Sequence, residues 1–92
     1  MRIDEYISKE EKKSLENRLS ILEGQVRGIK QMIECDRSCD DILIQITSIA
    51  NSLKSLGKVV LKSYVETKAI TEIKNGNVDI LKEVIEMSNR VN

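Results

Sequence analysis

Cys35 and Cys39 are the residues of this chain best equipped for chemistry, and they lie four positions apart in a sequence of 92 residues that contains no other cysteine and no histidine. A thiolate is a nucleophile and a soft metal ligand. Without an imidazole the chain lacks the usual general base and the preferred donor for nickel, cobalt and zinc. Three uses of the pair stay open: a dithiol that senses oxidants, persulfides or aldehydes, two thiolates that hold a Cu(I)-like ion, or two inert thiols. Ser38 followed three residues later by Asp41 has the form of an N-cap with an acidic third residue, which puts Cys39 at the positive end of a helix. Asp36, Asp40 and Asp41 oppose a thiolate there. No glycine loop able to cradle phosphate is present, so the residues do not point to an enzyme.

The second kind of chemistry is cationic. Fifteen Lys and Arg balance fifteen Asp and Glu, so no global charge draws the protein to nucleic acid and any such affinity must be local. Between Ile42 and Val65 there is no acidic residue, while Lys54, Lys58 and Lys62 recur every fourth position, with Lys68 close to the same line. A stripe of this kind either contacts phosphates or forms a solvated helix face.

Helices must carry these residues. From Leu15, the residues Leu19, Leu22, Val26, Ile29 and Ile33 alternate steps of four and three, the pattern of a helix packed along a partner. The charged stretch from Asp4 to Glu16 is either an extension of this helix or a mobile arm, residues 1–14 being the candidate arm. A second helix begins at Ser38, with Ile42, Ile46, Ile49, Leu53, Leu56 and Val60 as its seam. Asn75, Gly76 and Asn77 break the chain, and Val78, Leu81, Val84 and Ile85 predict one face of a short third helix. The expected fold is all-α: a long antiparallel hairpin plus a short carboxyl-terminal helix, in a single domain over residues 1–92. With no Phe, no Trp and only Tyr6 and Tyr64, the core is aliphatic, and a chain this short buries only ~60–65% of its unfolded surface. Two hairpins pairing into a four-helix bundle is the simplest closed arrangement. Gly24 and Gly28 lie away from the seam, either on a plain solvent face or where a helix or a DNA backbone approaches closely. The charged amino terminus and the lack of a long apolar run predict a cytoplasmic protein without a membrane partner, in which the cysteines are reduced.

Three stretches carry a resemblance: EGQVRGI at Glu23 to Ile29, MIE at Met32 to Glu34, and CDDILIQI at Cys39 to Ile46. Together they resemble the CsoR/RcnR family of small helical repressors, whose branches sense copper, nickel, formaldehyde or persulfides. The likeness runs more weakly from about Leu15 to about Val91. It implies a dimer of dimers forming a disc-shaped tetramer, and operator DNA bound without a helix-turn-helix. Arg18 and Gln25 match the start of the family's DNA-contacting motif, with Lys54, Lys58 and Lys62 as phosphate contacts. The arginine that relatives often carry between positions 49 and 55 is absent, leaving Lys54. Cys39 matches the shared sensor cysteine, whereas the histidine and second cysteine of copper sensors fall on Tyr64 and Lys68. Ser38 stands where a tyrosine often precedes the sensor cysteine. The resemblance therefore implies a repressor relieved by an inducer near Cys39, with Cys35 as an accessory thiol. That inducer is an oxidant, an aldehyde, another small molecule or a metal ion, and Cu(I) or another thiophilic metal at Cys39 is the one cofactor considered. The alternatives are a metal-responsive repressor with unusual ligands, or a helical adaptor that does not bind DNA.

Overall fold

The computed structural model describes residues 2–92, and all regular structure among them is helical. A single 3-10 turn at Ile3–Glu5 precedes α1 (Lys9–Glu34). Helix α2 (Cys39–Tyr64) runs without a break through a π-helical segment, Val65–Ala69, into the short α3 (Ile70–Lys74), and α4 (Ile80–Val91) closes the chain. The third helix expected from the sequence is α4. The π segment has no counterpart in the hydrophobic pattern.

Local chemistry explains most of the boundaries. The Ser8 hydroxyl accepts from the Glu11 amide at 3.1 Å and starts α1 at Lys9. From Lys9 onward the charged amino-terminal stretch forms the start of α1, and Ile7 ahead of it is buried against the hairpin. At the start of α2, Ser38 caps the Asp41 amide at 3.2 Å, as its spacing predicts. Both helix ends that precede turns close in the same way. After α1, the Arg37 amide donates to the Met32 carbonyl at 3.0 Å and the Asp36 amide to Ile33 at 3.2 Å. After α3, Asn77 donates to Glu72 at 2.9 Å and Gly76 to Ile73 at 3.0 Å. This pairing requires a left-handed residue just past the cap. Gly76 meets the requirement at φ 90°, but Asp36 adopts φ 56° with a side chain attached. Asp36→Gly should therefore raise stability by about 0.5–1 kcal/mol, read as a higher urea midpoint at unchanged slope.

The protomer is a rod of 58 × 26 × 14 Å with a radius of gyration of 17.4 Å, well above the roughly 12 Å of a compact chain this long. Only every second member of each predicted seam is buried: Leu15 and Leu22 on α1, Ile49 and Leu56 on α2. Leu19, Val26 and Ile33 of α1 and Ile46 and Leu53 of α2 are exposed. They form an apolar strip along one flank that a lone protomer leaves to water.

A second cluster lies at the other end of the rod, where Tyr64, Ala69 and Ile80 are buried with Tyr6, Val65, Val84 and Met87 around them. The inner face of α4 differs from the expected one. Ile80, Val84, Met87 and Val91 turn inward, whereas Val78, Leu81 and Ile85 stay exposed. Gly57 permits this seating, because a Cβ there would stand 2.9 Å from Val91 Cγ1.

Candidate functional site

The two flanks of the hairpin differ in chemistry. On the side away from the exposed apolar strip, α1 and α2 enclose a shallow groove lined by Arg18, Ile21, Leu22, Gln25 and Ser52. Arg18 Nη2 donates to Ser55 Oγ at 3.3 Å across the groove. Gln25 lies two turns further along α1 and so faces the same way as Arg18. Lys58 and Lys62 follow Ser55 at three and seven positions, which places all three on one strip of α2. Lys54 lies at the outer edge of that strip. All three lysines are exposed, and of them Lys62 alone makes an ion pair among the described residues, to Glu66 at 3.9 Å. Such an exposed pair holds the ammonium only weakly. The structure thus brings Arg18, Gln25, Lys58 and Lys62 to one side of the protomer, with two carboxylates nearby: Glu66 beside Lys62, and Glu11, which accepts from Ser63 at 3.5 Å. Ser52 and Ser55 were not singled out from the sequence. The only clue was that Ser55 precedes Lys58 and Lys62 at helical spacing.

Gly24 and Gly28 lie outside this groove. Among the described residues, nothing stands within 4 Å of a Cβ built at Gly28, so no other helix of the same protomer packs against it.

The cysteines are both free and exposed. Cys35 is the cap residue of α1 and borders a cavity of about 220 Å³ with Gly28, Gln31, Met32 and Arg37. Cys39 is the first residue of α2 and heads the seven-residue row that continues through Ile46 and Leu53, on the exposed apolar flank. The turn around Asp36 lies between the two residues, both are unbonded, and only Cys35 borders this cavity.

Tyr64 lies 25 residues along the rod from Cys39, about 38 Å at the helical rise. It is the most deeply buried large side chain, 2% exposed. Its hydroxyl donates to Glu83 Oε2 at 2.8 Å, and its ring meets the edge of Tyr6 with centroids 5.1 Å apart. Burial, followed by the hydrogen bond to and negative charge of Glu83, pushes its pKa up to about 12. At neutral pH it is an uncharged phenol committed to a carboxylate. Lys68 sits on the π segment, half-buried.

Residues 11–90 match the sequence profile of the metal-sensitive transcriptional repressors. The chain belongs to this family. Among its relatives, the copper-sensing transcriptional repressor CsoR of Bacillus subtilis strain 168 is 40% identical over 70 residues, covering 76% of this chain and 69% of that protein. The copper-sensing transcriptional repressor RicR of Mycobacterium tuberculosis H37Rv is 38% identical over 66 residues, covering 68% and 69%. A solved structure of the copper-sensing repressor CsoR with Cu(I) from Geobacillus thermodenitrificans NG80-2 superposes with a TM-score of 0.80 at 33% identity, covering 91% of this chain and 88% of that one. The CsoR/RcnR resemblance and the all-helical fold read from the sequence both agree with these matches. Repressors of this family are regulators, not enzymes.

Among the described residues no three His, Cys, Asp or Glu side chains come together as ligands. The positions that the resemblance assigns to imidazole and thiolate hold a buried phenol and an ammonium, neither of them a soft donor. No helix among the described residues is long and apolar enough to cross a membrane.

Proposed function

We propose that this repressor binds operator DNA in the cytoplasm as a homo-oligomer, a dimer of dimers, and releases it when an inducer acts near Cys39 without the histidine and second cysteine of copper sensors. One observation carries the reading: Arg18, Gln25, Lys58 and Lys62 occupy the flank opposite the exposed apolar strip. Copies that associate through the strip keep this cationic flank outward. Several protomers then present as one surface the charges that a neutral chain scatters. Arg18 can bind guanine or phosphate through two parallel hydrogen bonds, Gln25 can pair with adenine, and the lysines act as phosphate charges.

Fluorescence anisotropy on the promoter duplex of the protein's own gene tests the DNA reading. The logarithm of affinity should fall steeply and linearly with the logarithm of salt concentration, at a slope near −0.9 for each phosphate neutralised. A flat dependence would remove the lysines from the interface. The same assay tests the inducer. Polysulfide or formaldehyde should release the duplex, Cys39→Ser should abolish that release, and Cu(I) should leave affinity within about twofold, since one thiolate beside a phenol and an ammonium holds it poorly. The metal sensitivity of the family favours a second reading, in which a thiophilic ion uses Cys39 with unusual partners. Release by Cu(I) that is lost in Cys39→Ser would establish the second reading over the first.

A further inference from the structure

We propose that Ser55 is a positioning residue for DNA recognition: its hydroxyl holds the Arg18 guanidinium in the groove between α1 and α2, so that the two side chains meet the duplex as one unit. The inference rests on the DNA-binding reading above and names the element that aims its principal arginine.

Three observations support it. Arg18 Nη2 donates to Ser55 Oγ at 3.3 Å, linking helices through residues 37 positions apart. Arg18 is also the one half-buried arginine among the described residues. It lines the groove beside Ile21 and Leu22, and such a side chain can rest its apolar stem there while its charged end stays in water. Finally, Ser55 shares its helical strip with Lys58 and Lys62, so a duplex drawn by those ammonium groups reaches the serine and arginine together.

The donor count permits this role. Accepting from Arg18 uses one lone pair of the hydroxyl and leaves its O–H free to donate, while the guanidinium keeps its remaining N–H groups. The pair therefore offers several donors fixed relative to one another, which suits an acceptor-rich target, either phosphate oxygens or the O6 and N7 of guanine. A long, flexible arginine held in place before binding loses less freedom on contact, and that saving appears as affinity. A serine alone would contribute little, and an arginine alone would have to be ordered by the DNA.

The test is a double-mutant cycle on the full-length protein with Arg18→Ala and Ser55→Ala, read by anisotropy on the promoter duplex and on a scrambled duplex of equal length over a salt series. Ser55→Ala should weaken promoter binding about five- to tenfold, the effect expected for the loss of a single hydrogen bond. Ser55→Thr, which restores the hydroxyl, should recover it. In the Arg18→Ala background the same serine substitution should change affinity by less than about twofold, because the group it positions is gone. A loss confined to the promoter duplex assigns the pair to a guanine edge. A loss equal on both duplexes, with a shallower salt slope, assigns it to phosphate. Either result supports the proposal. An equal effect of Ser55→Ala in both backgrounds, or none in either, would overturn it while leaving the DNA reading intact. Absence of binding to any duplex by the unsubstituted protein would remove both.

Discussion

Arg18→Ala lowers operator affinity about 100-fold, the largest loss expected from any single substitution on the cationic flank. One good bidentate contact is worth about 1–3 kcal/mol, and a symmetric oligomer that engages the duplex through two copies loses it twice. At 1.4 kcal/mol for each tenfold change in Kd, about 3 kcal/mol corresponds to the stated factor. Lysines on the same flank behave differently. Lys58→Ala should cost only a few-fold, equally on all sequences, and should reduce the salt slope by about one for each contact removed. Comparing the two variants on promoter and scrambled duplexes separates reading from attraction. An Arg18→Ala protein that binds like Lys58→Ala would show that the arginine is merely another charge. Neither substitution should disturb folding, since Arg18 contributes one 3.3 Å hydrogen bond at the surface and Lys58 is exposed.

Tyr64→Ala destabilises the protein by about 3–5 kcal/mol, the cost of removing a large buried aromatic side chain. The ring is the centre of the second cluster: it packs edge-on to Tyr6 from the amino-terminal turn and binds Glu83 of α4. Truncation therefore loosens both ends of the chain from α2 at once. Tyr64→Phe keeps the ring and loses only the hydroxyl, and because Glu83 is exposed and can take up water, its cost should be about 1 kcal/mol. Chemical denaturation at neutral pH distinguishes the two. If Tyr64→Ala cost less than about 1 kcal/mol, the cluster would contribute nothing to holding α4.

The hydroxyl also makes a pH prediction. Folding raises the Tyr64 pKa from 10.0 to about 12. Between these values the unfolded chain has released the proton and the folded protein still holds it. Stability therefore falls as pH rises through this window. The contribution is intact below pH 10 and gone above pH 12. Melting curves from pH 8 to 12 should show a steeper decline for the natural protein than for Tyr64→Phe, and parallel curves would contradict the buried phenol.

The same residue stands where the resemblance to copper sensors places a histidine. A side chain that joins three chain segments is occupied as a structural element, and its proton is bound to a carboxylate. The inducer response of this repressor is thus expected to run through thiol chemistry at Cys39 rather than through a ligand at position 64. Cys35 and Cys39 should then be separable by substitution, because one ends α1 beside a cavity and the other begins α2.

Much of this protein is legible from local sequence. The Ser38 cap, the break at Asn75 to Asn77 and the four-three spacing of aliphatic residues determine helices through interactions spanning only a few positions, and they hold whatever the rest of the chain does. The motif words around Glu23 and Cys39 identify the family for the same reason, since each is contiguous. What the tertiary structure alone decided depends on residues far apart in sequence. Arg18 meets Ser55 only because the hairpin brings α1 and α2 together, and Tyr64 is buried only because the amino-terminal turn and α4 both return to it. The inward face of α4 follows the helical spacing of Ile80, Val84, Met87 and Val91, but its seating on α2 depends on the room that Gly57 leaves for Val91. Cys35 and Cys39 are near neighbours along the chain, but the left-handed residue at Asp36 that turns the backbone between the end of α1 and the start of α2 is set by the hairpin.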